Sequence, residues 1–208
     1  FGSVAGTVVT GIFDGNFSVW LFWVMSALVL SLRYHATTDP ASANSLMTDA
    51  GIRRYPRLLA PVAASIHFAW ALHQCGLMTN EKLATALGPQ YQDWLGSFYQ
   101  FEPDVLVAIK SAVWDTFFSF KRSSSYIPVL WTMEIELYGS FFLFAYLALI
   151  GKHPARVAFY AITLVVLDRL WLQWASAFVM GTIICDGLQN AGAIRRMAPK
   201  RVCAALDG

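Results

Sequence analysis

From Gly15 to Leu32 the chain carries no charged side chain, and four more apolar stretches follow. The second, Leu58 to Asn80, has no Asp, Glu, Lys or Arg but contains His67 and His73. The third, Ile127 to Ile150, is interrupted by Glu134 and Glu136. The fourth, Val157 to Leu167, is short, and Asp168-Arg169 separates it from the fifth, Leu170 to Cys185. A membrane-spanning helix needs about 20 apolar residues, and the first three stretches meet or approach that length. Only 13% of the 208 residues are charged and 57% are hydrophobic, whereas a soluble domain carries about 25% charged residues. Too little charge is present to cover a surface facing water. The pattern predicts an all-α, multi-pass transmembrane helix bundle of about five segments, with the lipid bilayer as its first partner.

The loops give a direction. If residues 33–57, 151–156 and the tail after Asp186 lie in the cytoplasm, that side holds Arg33, Arg53, Arg54, Arg57, Lys152, Arg156, Arg195, Arg196, Lys200 and Arg201. The other side keeps Lys82, Lys110, Lys121, Arg122 and Arg169. The positive-inside tendency then favours five passes with the C-terminus of this chain cytoplasmic. A net charge of +2 gives no reason to expect nucleic acid as a partner. Cys75, Cys185 and Cys203 form no disulfide framework, and no Cys/His cluster has metal-ligand spacing, so no metal is expected. The chain starts with Phe and stops at Leu206-Asp207-Gly208. Residues 1–208 therefore read as one partial membrane domain, with upstream and downstream helices missing.

Between Glu81 and Tyr126, Pro103-Asp104 marks a helix start, because Pro is tolerated in the first turn and Asp favours the positive helix end. Asp104, Ala108, Ser111, Asp115 and Ser119 follow on one helical face, and Val105, Leu106, Ile109, Val113, Trp114, Phe117 and Phe118 fill the rest. This predicts an amphipathic helix at the outer membrane surface, or one packed on the protein's own bundle.

Ionisable groups at membrane depth are costly and usually face the bundle interior. In Trp131-Thr132-Met133-Glu134-Ile135-Glu136 the two carboxylates lie about 200° apart on a helix, so one alone can point inward. Thr132, Glu136 and Ser140 share a polar stripe, which selects Glu136. The plainer alternative is a buried Glu paired with an Arg from another helix. Arg54 and Arg57, three residues apart, could together grip a polyphosphate through planar guanidinium groups, or simply set topology and touch lipid phosphates. Pro56 lies between them and disfavours helix just before it. His67 and His73 fall on the second stretch at different angles, and packing explains them as well as catalysis does. His35 and His153, in short loops, carry little signal.

Taken in order, these residues resemble the acyltransferase-3 family of multi-pass membrane O-acyltransferases. Phe22-Trp23-Val24-Met25-Ser26-Ala27-Leu28-Val29-Leu30 is similar to the family's FFVLSG-type stretch, with Ala27 standing where the family has Gly. Arg54-Tyr55-Pro56-Arg57, running on to Pro61, is similar to its cytoplasmic RxxR element. Leu130 to Glu136, with Gly139-Ser140, resembles its WTLxxE block, and Phe178-Val179-Met180-Gly181 its later FxxG helix. The resemblance implies transfer of an acyl group from acyl-CoA, a co-substrate with no further cofactor, to a hydroxyl of a carbohydrate or lipid acceptor. It implies a catalytic role for Glu136, orienting or charge-balancing a family His that belongs to a helix before the first stretch. It assigns Arg54, Arg57, Trp131, Thr132 and Ser26 to substrate binding, and expects the fragment to be inactive alone. A membrane transporter, or a non-catalytic membrane scaffold, are the competing readings of the same intramembrane charges.

Overall fold

The computed structural model describes residues 15–99 and 101–197, with side chains described up to residue 190 except at position 94. The described chain is helical and contains no strand. Its main helices are α1 (Gly15–Ala36), α2 (Pro40–Gln74), α3 (Asn80–Leu87), α4 (Val105–Lys110), α5 (Trp131–Ile150), α6 (Arg156–Arg169) and α7 (Gln173–Met197). Among the described residues, two segments are long and apolar enough to cross a membrane, Gly15–Ala36 and Pro128–Ile150. The fourth stretch becomes α6, whose 14 residues reach about 21 Å at 1.5 Å per residue, short of a hydrocarbon core of about 30 Å. The second ends earlier than the run of apolar residues: α2 stops at Gln74, and Gly76 turns the chain with φ 67°. The fifth begins late, because Trp171 adopts φ 58° between α6 and α7. Lys200, Arg201 and Cys203 lie outside the described residues.

The described residues form two compact units, one of residues 15–52 and 139–197, the other of Arg53–Tyr138. In the first unit α1 turns Trp23, Val24, Ala27, Ser31 and Tyr34 inward, a face repeating every three to four residues. Phe17, Leu21, Met25, Val29 and Leu32 remain exposed. Gly181 of α7 makes the helix crossing close: a Cβ there would lie 2.3 Å from the Val24 carbonyl oxygen and 2.7 Å from the Ala27 Cβ. Ala27 and Gly181 are thus the small pair that lets two backbones approach, a common device between membrane helices. Ser31 and Thr182 share a buried hydrogen bond of 2.8 Å beside it. The Tyr34 hydroxyl donates to the Leu147 carbonyl on α5 at 2.6 Å. Leu167, Ala175 and Val179 make a second buried contact between α6 and α7.

In the second unit Val62, Ile66 and Ala69 of α2 meet Ala108, Ala112, Phe117, Tyr126 and Leu137. Asp104 is the N-cap of α4, its carboxylate accepting from the Leu106 amide at 2.6 Å, so the helix starts just after the Pro-Asp pair. The helix then passes through a π turn, Ser111–Asp115, into a closing turn at Thr116–Phe118. Its small and polar residues Ala108, Ser111, Ala112 and Thr116 are buried, while Leu106, Ile109, Val113 and Trp114 are exposed. The helix is therefore present, but the expected stripe is not buried as a whole: Ala108 and Ser111 are buried, Asp115 is half-buried, Asp104 and Ser119 are exposed, and the apolar Phe117 turns inward.

Candidate functional site

Glu136 stands on α5 just beyond the short turn Pro128–Leu130 that leads the chain into Trp131. It is 1% exposed, whereas Glu134 is only half-buried. From α2, Arg54 donates from Nη2 to Glu136 Oε1, and the two side chains are 12% and 2% exposed. α2 can deliver Arg54 there because it runs unbroken through Pro56 and Pro61. Arg54 then shares a face with Leu58, Val62 and Ile66 at four-residue intervals. Transferring two ions out of water costs several kcal/mol each, and their attraction offsets this only when geometry and hydrogen bonding are good. The pair is what makes a carboxylate tenable on an otherwise apolar helix.

Arg57 is exposed, one turn further along α2. The two guanidinium groups are thus not equivalent: one is committed to Glu136 and the other faces outward. Trp131 and Thr132 are half-buried, and the Thr132 hydroxyl donates to the Val129 carbonyl at 3.3 Å. Ser140 is buried on the Glu136 side of α5. Ser26 is half-buried on α1, within the first unit, whereas Arg54, Arg57, Trp131, Thr132 and Glu136 belong to the second. Tyr55 donates its hydroxyl to the Val113 carbonyl in the π turn. His67 bonds through Nδ1 to the Ala63 carbonyl at 2.7 Å, within its own helix. His73 packs edge-on against Tyr99, Phe101 and Tyr126, with ring centroids 5.7, 5.5 and 6.4 Å away.

The first unit holds a cluster that reading the sequence missed. Asp186 on α7 accepts from Arg156 Nε at 2.7 Å and lies 3.4 Å from His35 Nδ1. Asn190 donates to the same carboxylate at 3.2 Å. Beside it Lys152 donates to the backbone carbonyls of Tyr34, at 3.1 Å, and Thr37, at 2.5 Å. Burial, then the nearby Arg156, push the Lys152 ammonium below its ordinary range, and Asp186 pulls weakly the other way. A signal for this cluster was available. The charge bias of the loops assigns the ends of α1 and α5, the start of α6 and the tail after Asp186 to one side, which brings His35, Lys152, Arg156 and Asp186 to one level. Among the described residues no group of three His, Cys, Asp or Glu side chains is placed to hold a metal ion.

No protein-family model, curated protein or solved structure matches this chain. Chemically, the second unit offers a dry, charge-compensated carboxylate, and the first offers a partly open cluster in which cations outnumber the one carboxylate.

Proposed function

We propose that this chain is part of a membrane O-acyltransferase moving an acyl group from acyl-CoA to a hydroxyl of a carbohydrate or lipid acceptor. The order of the motifs from Phe22 to Gly181 carries the reading. The enclosed Arg54–Glu136 pair fits it, since ionisable groups placed among apolar helices are functional suspects, and is equally the buried ion pair of the plainer alternative. The outward apolar faces of α1, α4 and α6 support a lipid-facing bundle, in this reading of about five segments with a cytoplasmic C-terminal side. The acceptor oxygen attacks the thioester carbonyl, a C–O bond forms and the C–S bond breaks. The hydroxyl proton passes to a base, and the CoA thiolate leaves and is reprotonated. Glu136 holds the charge that develops on that base, Arg57 faces the donor's phosphates, and Ser26, Trp131 and Thr132 contact substrate.

The test is acyl-CoA-dependent acylation in membranes containing the full-length protein. Glu136→Gln should lower the rate by about 10²-fold, the scale of a lost acid–base contribution, and Arg57→Ala should weaken use of acyl-CoA by raising its KM, while detergent melting shows the protein still folded. Full activity in both variants would remove the proposal.

A further inference from the structure

The ends of α1 and α5, the start of α6 and the middle of α7 line a partly open cavity of about 490 Å³ within the first unit. Its size falls in the range of small-molecule sites, about 300–1,000 Å³. We propose that this cavity binds a phosphate ester, gripped by Lys152 and Arg156. The inference does not depend on the reading of Glu136.

Charge comes first. Lys152 and Arg156 face the cavity with Asp186 as its carboxylate, so the two cations exceed the fixed negative charge. Hydrogen-bonding capacity points the same way. Arg156 uses Nε on Asp186, which leaves its terminal amino groups for an oxyanion. Lys152 uses two of its three N–H bonds on the Tyr34 and Thr37 carbonyls. A guanidinium fork and an ammonium point charge are the usual pair of groups for phosphate. The cavity also includes Thr37, Thr38, Gln189 and Asn190, whose hydroxyls and amides suit a hydrated, polar ligand better than an acyl chain. His35 adds a further sign that the site is incomplete. Its side chain is 4% exposed, and Nε2 has no hydrogen-bond partner among the described residues. With Nδ1 donating to Asp186, Nε2 of the neutral ring is an acceptor, so it calls for a water or a hydroxyl of the ligand and not for the phosphate oxygens themselves. Finally, burial and then the charge of Arg156 depress the Lys152 ammonium, and a bound anion would offset both.

Two sources carry this chemistry: a soluble phosphate ester, or the headgroup of an anionic lipid. Both can be tested on the full-length protein in nanodiscs of phosphatidylcholine. In one arm coenzyme A or inorganic pyrophosphate is titrated by calorimetry. In the other, phosphatidylglycerol replaces part of the lipid and the melting temperature is followed, since a ligand that binds only the folded state raises it. A response to the soluble probes assigns a free phosphate ester, and a response to phosphatidylglycerol alone assigns a headgroup. Lys152→Ala should weaken the response about tenfold, equivalent to about 1.4 kcal/mol. Because Lys152 also ties down the end of α1, Asp186→Asn is the second variant, and it should tighten binding by removing the opposing charge. A merely structural cluster would lose binding in both. No response in either arm, or weaker binding in Asp186→Asn, overturns the proposal.

Discussion

Each unit buries a carboxylate against an arginine, but the two settings differ. Glu136 is closed into an apolar interface, its side chain 2% exposed, with Arg54 delivered from a neighbouring helix. Asp186, at 9%, has Arg156, Asn190 and His35 around it and opens on a cavity. The first arrangement neutralises charge where water is scarce. The second leaves positive charge in excess beside a partly open cavity. Burial of an acidic residue is therefore not by itself a sign of a binding site; what distinguishes the two is the balance of charges and the space beside them.

The comparison can be tested by removing one partner at a time. The largest loss is expected for Arg54→Ala, which strands a carboxylate in the core and should cost about 3–5 kcal/mol. Thermal unfolding in detergent measures it, and the double variant Arg54→Leu, Glu136→Leu should recover most of the loss. If the single variant melts like wild type, the pair is not desolvated as described. Asp186→Ala should cost less, about 1.5–3 kcal/mol, the value of hydrogen bonds to a charged group, because water can enter the cavity and hydrate Arg156. Equal losses at the two sites would erase the contrast. The smallest effect concerns Asp39, the N-cap of α2, which accepts from the Ser42 amide at 2.8 Å and the Ser42 hydroxyl at 2.6 Å. The Ser42 side chain, then its backbone amide, hold the Asp39 carboxyl below its usual range. Its stabilisation is complete above the unfolded-chain pKa of 3.8 and is lost as pH falls through the depressed folded value. In Asp39→Ala that part of the acid-side decline in melting temperature should disappear, and an unchanged profile would refute the cap.

How legible these features are from residues alone depends on how local their causes are. The body of α1 follows from the uncharged run Gly15–Leu32, although the helix continues through Arg33 to Ala36, and the inward turn of Glu136 rather than Glu134 follows from 100° per residue. The start of α4 can be read from Pro103-Asp104 to within two residues. Other features depend on partners distant in sequence. Pro56 disfavours helix before it, yet α2 continues through it, and prolines within helices survive where neighbouring groups satisfy the freed backbone. The π turn at Ser111–Asp115 has no local composition signal. The pairing of Arg54 with Glu136 spans 82 positions, and that of Arg156 with Asp186 spans 30. Periodicity can say which face each side chain occupies. It cannot say which helix lies opposite.

Lys152 shows what such long-range pairing demands of a connection. The last carbonyls of a helix lack partners along its regular ladder. At the exit of α1 the Tyr34 carbonyl accepts from the Thr37 amide and from the ammonium of Lys152, in the turn between α5 and α6, and Lys152 also binds the Thr37 carbonyl just beyond the helix. That turn behaves as a clasp rather than a spacer. Lengthening it by inserted residues would carry the lysine out of reach and fray a helix more than a hundred positions earlier in the chain.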